Sequence, residues 1–352
     1  MKIKEICEYG KKSKIKAGEG LSEGNVKFFT SSSESNKYVN EEQFNCPGII
    51  MGTGGNATLH YCDEPFSVST DCIVLFPKTK VSPKYLYYFF KGNFHVLQSG
   101  FKGAGLKHTS KKYIDEISLN HIPNNDEQVK IVNILDNVND IISKKNQQLS
   151  EYDQLIKSRF VEMFGDRFTN DMGWDTKKLG EIVSFHNGKA HEQVVDVNGK
   201  YILVTSRAIA SDFTDFRRTN EMLYPLHRND IVMVMSDVPN GLALAKCQLI
   251  EEDNKYTLNQ RICSFDNYSF NAIFLLNLLN RHQHFLSFNN QNSQTNLRKN
   301  DILDCKLIVP PAELQNQFSD FVEQIDKLKF EVQKSLDESK KLFDSLMQEY
   351  FG

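Results

Sequence analysis

The chain carries one short signature twice. Glu162-Met163-Phe164-Gly165 closes a long apolar-periodic stretch, and Glu349-Tyr350-Phe351-Gly352 closes another 187 residues later. The same offset superposes Pro123 on Pro310, Gln128 on Gln315, Leu149 on Leu336, Leu155 on Leu342 and Ser158 on Ser345. Duplication on this scale confines the fold to two copies of one plan, each a compact domain followed by a long helix. Such a chain presents two similar surfaces, a layout suited to recognition and poorly suited to a single active site.

The helices follow from spacing. From Asn125 to about Met163 the residues Val129, Val132, Leu135, Val138, Leu149, Ile156 and Phe160 recur at helical intervals with no Gly or Pro among them. Pro123 precedes this stretch and Gly165 follows it, as helix boundaries commonly do. The second copy, Ala312 to about Tyr350, repeats the pattern through Phe318, Phe321, Ile325, Leu328, Leu336, Leu342 and Leu346. Each helix is expected to run roughly 38 residues, or about 57 Å. One apolar stripe of that length needs a partner. Antiparallel pairing of the two helices as a coiled coil meets the need, with Leu135, Val138, Leu149, Phe160, Phe321, Ile325, Leu336 and Leu346 as packing positions. Separate hairpins or tails wrapped on their own domains are the alternative, and no residue pattern gives the register.

The expected organisation is a domain over 1–124, a helix over 125–165, a second domain over 166–311 and a second helix over 312–352. With 352 residues, 40% hydrophobic and 25% charged, there is ample chain for two cores. No run reaches the length of about 18 apolar residues that a bilayer needs. The longest candidate, Ala272 to Leu279, is interrupted by Asn277. Met1 to Lys16 alternates charge with apolar residues instead of building a signal sequence. The 7 cysteines are scattered without a close Cys-x-x-Cys pair. They read as buried thiols of a cytoplasmic protein. The formal net charge of -3 is uneven: +4 over residues 1–124, -1 over 165–311, and -6 over the two helical segments together. Phosphate attraction from this chain alone would be modest.

Both globular parts are expected to be mixed α/β. Strand-like runs are Gly48 to Gly52, Phe66 to Ser69 and Cys72 to Phe76, then Tyr201 to Val204, Asp230 to Met235 and Arg261 to Phe265. Helices follow around Pro83 to Phe94 and Asn271 to Leu279. Catalytic motifs are missing. Met51-Gly52-Thr53-Gly54-Gly55-Asn56 lacks the third glycine and the Gly-Lys-Ser/Thr ending of phosphate loops, so it reads as a tight turn, as does Ser236 to Gly241. His186 with His191, and His282 with His284, lack further metal ligands at useful spacing and are expected to be surface or DNA-facing groups. Glu251-Glu252-Asp253 reads as a solvated turn.

A resemblance then becomes specific. Ile122-Pro123-Asn124-Asn125-Asp126-Glu127-Gln128 and Val309-Pro310-Pro311-Ala312-Glu313-Leu314-Gln315 resemble the proline-to-glutamine junctions before the long helices of DNA-specificity subunits of Type I restriction-modification systems. Asn124 stands where that family often has a second proline, and Leu314 replaces the commoner glutamate. The Phe-Gly helix ends and Trp174-Asp175-Thr176-Lys177-Lys178-Leu179-Gly180 are similar to the family as well. The likeness implies a non-catalytic subunit whose two target-recognition domains each read half of a split double-stranded DNA target. It also implies that the paired helices dock two methyltransferase subunits, which would hold S-adenosylmethionine, and that motor-endonuclease subunits join them. This chain would bind no cofactor or metal itself.

Within such readers, base edges would be contacted by Arg, Lys, Asn and Gln. Candidates in the first domain are Lys102, Lys107, His108, Lys111 and Lys112, which follow the glycine-rich start of the Gly100 to Gly105 loop. In the second they are Lys189, Arg207, Arg217, Arg218 and the polar run Asn289 to Asn296 leading to Arg298 and Lys299. A duplicated protein-binding scaffold with a helical spacer and no DNA recognition is the rival reading.

Overall fold

A computed structural model of the chain describes residues 1–78, 80–191, 193–238, 241–289 and 294–352. It divides into two compact units, Met1–Gln148 with Val332–Gly352, and Leu149–Glu331. The first unit holds strands β1 (Cys7–Tyr9), β2 (Val26–Phe29), β3 (Lys37–Val39), β4 (Gly48–Gly52), β5 (Leu59–Cys62), β6 (Phe66–Val68) and β7 (Cys72–Pro77). Its short helices are α1 (Ile3–Ile6), α2 (Pro83–Gly92), α3 (Phe94–Ser99) and α4 (Lys111–Asp115). An antiparallel sheet runs in the order β1-β7-β4-β5, and a smaller one in the order β3-β2-β6, with β2 antiparallel to β3 and parallel to β6.

Strand β4 is buried along its whole length because both faces are covered. Ile49 and Met51 join the cluster of Leu86 and Phe90 from α2, while Ile50 packs with Phe66, Val68 and Val74 toward the small sheet. Alternation is therefore lost, and the strand reads as a continuous apolar run.

The second unit repeats this topology. It adds β8 (Thr176–Lys178), β9 (Ser184–Asn187), β10 (Tyr201–Val204), β11 (Arg217–Thr219), β12 (Ile231–Val234), β13 (Ser236–Asp237), β14 (Cys247–Leu249), β15 (Tyr256–Leu258), β16 (Ile262–Asp266), β17 (Thr295–Asn296) and β18 (Lys306–Ile308). Its short helices are α6 (Ser206–Ala210), α7 (Ala272–Leu279), α8 (Gln283–Leu286) and α9 (Lys299–Leu303). The large sheet runs β9-β16-β12-β14 and the small one β11-β10-β15, again with one antiparallel and one parallel pairing. Ile231 and Met233 face α7, and Val232 and Val234 face the small sheet. Even minor pairings correspond: β8 with β18 matches the Lys2–Ser118 bridge, and β13 with β17 matches the Gly54–His108 bridge.

The long helices are α5 (Asn125–Phe164) and α10 (Ala312–Phe351), each of 40 residues. Asn124 caps α5 by accepting the Glu127 N–H at 3.0 Å, which gives the residue standing in place of a second proline a task of its own. Gly165 ends it with φ of +73°, a conformation that favours glycine.

Each unit holds the start of one long helix and the end of the other. In the first, Tyr88 donates to Asp136 of α5 at 2.6 Å and lies 6.4 Å from Phe343 of α10, while Lys145 of α5 bonds Ser335 of α10. In the second, Lys329 of α10 bonds Asp153 of α5 at 2.7 Å, and Phe160 meets Phe318 at 5.4 Å. Within each unit the number rises along one helix as it falls along the other, so the paired segments are antiparallel. Of the packing positions, Leu135, Val138, Phe160, Ile325 and Leu336 are buried, and Leu149, Phe321 and Leu346 are half-buried.

The repeated signature has a physical role. Phe164 sits 4.8 Å from Phe274 on α7, and Phe351 sits 5.3 Å from Tyr85 on α2. Each helix thus ends by inserting an aromatic ring against the domain helix.

Candidate nucleic-acid interface

In the first unit two segments that look independent in sequence form one feature. Lys102 and His108 exchange backbone hydrogen bonds, both at 3.0 Å, closing the connection between α3 and α4 into a short two-stranded tongue. The turn after β4 braces it, with Gly55 N donating to Lys107 O at 2.8 Å and Thr109 N to Thr53 O at 3.0 Å. The Gly55 and Thr53 amides are engaged here and with Asp71, so this segment is a turn and not an open phosphate cradle. Lys102, Lys107, His108, Lys111 and Lys112 are all exposed on the tongue and the following helix. Lys111 is held 4.4 Å over the Tyr9 ring, whose hydroxyl donates to Asp115 at 2.8 Å. Burial and that carboxylate together raise the Tyr9 pKa.

The second unit distributes its cations differently. Arg298 and Lys299 lead into α9, directly after β17, and are exposed; Lys299 lies 5.4 Å from the Phe185 ring. Of the polar run, Asn289 and Gln294 to Asn296 are described, whereas 290–293 lie outside the described residues, as do 239–240 of the Ser236 to Gly241 turn. Gln294 donates to Ser236 at 2.8 Å, tying run and turn together as in the first unit. Lys189 is exposed beyond β9, with its N–H on Leu258 O at 3.0 Å. Arg207 on α6 is paired with Asp215 at 2.6 Å. Arg217 and Arg218 are neighbours on β11 and so point to opposite faces. Arg217 is exposed, and Arg218 is half-buried 5.1 Å from the Phe216 ring. The two units share cations at one equivalent place, Lys111 and Lys112 at the start of α4 and Arg298 and Lys299 at the start of α9, and differ elsewhere: Lys102, Lys107 and His108 lie on the tongue in one, Arg207, Arg217 and Arg218 on α6 and β11 in the other.

The histidines depart from expectation. His191 is only 1% exposed and bonds Thr257 at 3.0 Å, and His186 pairs with Asp266 at 3.0 Å. His282 is also buried, accepting the His284 N–H at 3.2 Å. Burial, then the charge of Arg167 and then His284, push the His282 pKa down to about 4. Arg167 itself donates to the carbonyls of Asn277 (2.6 Å) and Leu278 (3.2 Å) at the end of α7, and burial lowers its pKa. His191 and His282 are packing groups that a short sequence window cannot tell from surface ones, whereas His186 and His284 are half-buried. Among the described residues no group of three His, Cys, Asp or Glu side chains is placed to hold a metal ion. One exposed side chain was missed: Leu106, 70% exposed at the tip of the tongue. Its signal was present, as a lone aliphatic residue amid lysines and glycines.

Residues 1–151 and 172–339 match the family model described as Type I restriction modification DNA specificity domain. A relative, the Type I restriction enzyme MjaVIII specificity subunit of Methanocaldococcus jannaschii, is 25% identical over 185 residues, covering 52% of this chain. The chain spans 42% of that relative's length. Among solved structures, the Type-I restriction-modification system S subunit from M. genitalium is similar with a TM-score of 0.66 at 15% identity, over 100% of this chain and 95% of that one. A chain of a type I R-M system solved for its complex assembly and conformational transition gives 0.53 at 12% identity, over 100% and 96%. These two likenesses concern the fold. No described helix is long and apolar enough to cross a membrane.

Proposed function

This chain belongs to the Type I restriction modification DNA specificity family, and from that premise we propose that each of its units reads one half of a split double-stranded DNA target. The family is one of sequence specificity and is non-catalytic. In this reading residues 1–124 and 166–311 are the target-recognition domains, and 125–165 with 312–352 are the spacer. The observation that carries it is the duplicated topology of the two sheets, combined with cations that coincide at α4 and α9 and differ between the tongue of one copy and the small sheet and α6 of the other. One scaffold with two dissimilar surfaces suits two dissimilar half-sites. Arg, Lys and amide side chains supply both phosphate attraction and base-edge hydrogen bonds.

The long helices are the docking place for two methyltransferase subunits, with motor-endonuclease subunits completing a cytoplasmic complex. Exposed apolar residues on the helices support this: Val129, Ile141 and Leu342 in the first unit, and Leu155, Val161, Leu328 and Phe330 in the second. S-adenosylmethionine belongs to the methyltransferase. The test is selection from a random-sequence duplex library by the full chain in the complex with which it purifies. Two short conserved blocks at a fixed unspecified spacing are expected. A single block rejects one reader per unit, and no block with a peptide partner captured instead supports the scaffold reading and rejects this one.

A further inference from the structure

The tongue of the first unit ends in a feature that phosphate binding does not require. Leu106 exposes 70% of its surface at the tip, where a large aliphatic side chain gains nothing from folding. Its surroundings are cationic: between Gly100 and Tyr113 the chain carries four lysines and His108 and no acidic residue. The tip is also built. Lys102 and His108 hold the two strands of the tongue in register, and the turn at Gly54-Gly55 ties it to the sheet. Gly103 has φ of +145°, and a Cβ there would lie 2.9 Å from the Leu106 carbonyl oxygen, so the sharp bend that presents Leu106 depends on glycine.

We propose that Leu106 reads a thymine methyl group in the half-site recognised by the first unit. A two-stranded ribbon fits the major groove, which is about 12 Å wide. The flanking lysines match the phosphate rows on either side. Inside the groove the C5-methyl of thymine is the apolar feature of the base edges, and it separates thymine from cytosine. The second unit's corresponding run, Asn289 to Asn296, is made of Asn, Gln, Ser and Thr and carries no aliphatic residue. The contact is therefore confined to one half-site. The inference rests on the DNA-reading function proposed above.

Random duplex selection followed by deoxyuracil substitution tests it. The parent chain is expected to select one block containing a thymine whose replacement by deoxyuracil, which lacks only the methyl, weakens binding roughly fourfold, the worth of about one buried methyl-sized group. Leu106→Ala should bind the thymine and uracil duplexes equally and select the second block unchanged, whereas Leu106→Met should keep the thymine preference. A urea midpoint equal to the parent's confirms that Leu106→Ala is folded. Selection of no sequence at all by the parent fails the broader function and this contact with it. Two selected blocks, neither weakened by uracil, or a Leu106→Ala chain that keeps the thymine preference, overturns this contact alone.

Discussion

The side-chain oxygen of Gln315 accepts the backbone N–H of Asn271 at 3.0 Å, while its amide donates to the Pro310 carbonyl at 2.9 Å. Gln128 makes the same pair of bonds, to Ser82 N at 2.8 Å and Pro123 O at 2.9 Å. Ser82 and Asn271 are the N-caps of α2 and α7, so each glutamine ties the first turn of a long helix to the start of its domain helix. Gln315→Ala should cost about 1–3 kcal/mol, because it leaves a half-buried N–H and a buried carbonyl without partners. Urea unfolding measures it. A midpoint unchanged in Gln315→Ala would show that water replaces the amide.

That relationship shows what sequence could and could not reveal. The duplicated Pro and Gln were legible as a repeat, and so were the long helices, because apolar spacing over several turns reports a buried stripe directly. The central strands β4 and β12 were legible because burial on both faces leaves unbroken apolar runs. Short strands such as β3 and β11 were not, since three residues pairing at a sheet edge carry little hydrophobic pattern. The tongue was half legible: its lysines stand out, but its bracing by Gly54-Gly55 comes from residues about fifty positions away. The histidines misled for the same reason, because burial of His191 depends on Thr257.

Leu135 and Ile325 test the helix packing separately in each unit. Leu135 is 0% exposed and Ile325 is 6% exposed. Aspartate at either position would place an unpaired carboxylate in an apolar contact, at a cost upwards of about 3 kcal/mol. Loss of the cooperative unfolding transition, together with loss of methyltransferase co-purification in the double variant, is the expected result. Normal assembly of Leu135→Asp with Ile325→Asp would exclude both positions from the seam.

Lys107 and Arg217 distinguish the two readers. Lys107→Ala should weaken binding to every duplex and lower the salt dependence by about one phosphate contact. Arg217→Ala should alter selection in the other half-site, with about 1–3 kcal/mol of lost discrimination where it contacts a base edge. Arg218→Ala should have a smaller effect on DNA, since that guanidinium is half-buried beside Phe216. Binding titrations at several salt concentrations, run against duplexes altered in one half, separate these outcomes. Changes from Lys107→Ala and Arg217→Ala that map to the same half-site would contradict one reader per unit.

His282 predicts an acid sensitivity. Its ordinary pKa of 6.5 falls to about 4 in the folded chain. Between those values the unfolded chain binds the extra proton, so acid favours unfolding. The stabilisation is fully present above about 6.5, is lost progressively as pH falls toward about 4 and then levels, spanning about 3 kcal/mol. His282→Asn should remove that share of the slope, read as the difference between parent and variant urea midpoints across the same pH range. Parallel curves would place the acid sensitivity elsewhere.

The last test concerns the two ends of the repeat. In the first unit the Met1 amino group donates to Leu119 O at 2.7 Å, and Gly352 lines a cavity together with Ser118 and Asn120, the neighbours of Leu119. In the second unit the corresponding passage from Phe164 into the domain is covalent, through Gly165 to Trp174, whose indole N–H returns to Phe164 O at 2.9 Å. Both junctions bring the end of a long helix to the start of a domain, and the segment Asp166 to Gly173 bridges the second without a counterpart before Met1. A short Gly/Ser linker from Gly352 to Met1 should therefore be tolerated, with new termini opened between Met172 and Gly173. That cut leaves Arg167 joined to α5 and still bonded to the end of α7, and it leaves Asp171 on the Asp166 N–H at 2.8 Å. The permuted chain is expected to unfold at the parent's urea midpoint and to select the same DNA blocks at the same spacing. A permutant that folds but selects a different spacing, or one that fails to fold while the linked but uncut ring is stable, would show that the junctions are not equivalent and that the segment around Asp166 sets the register of the helices.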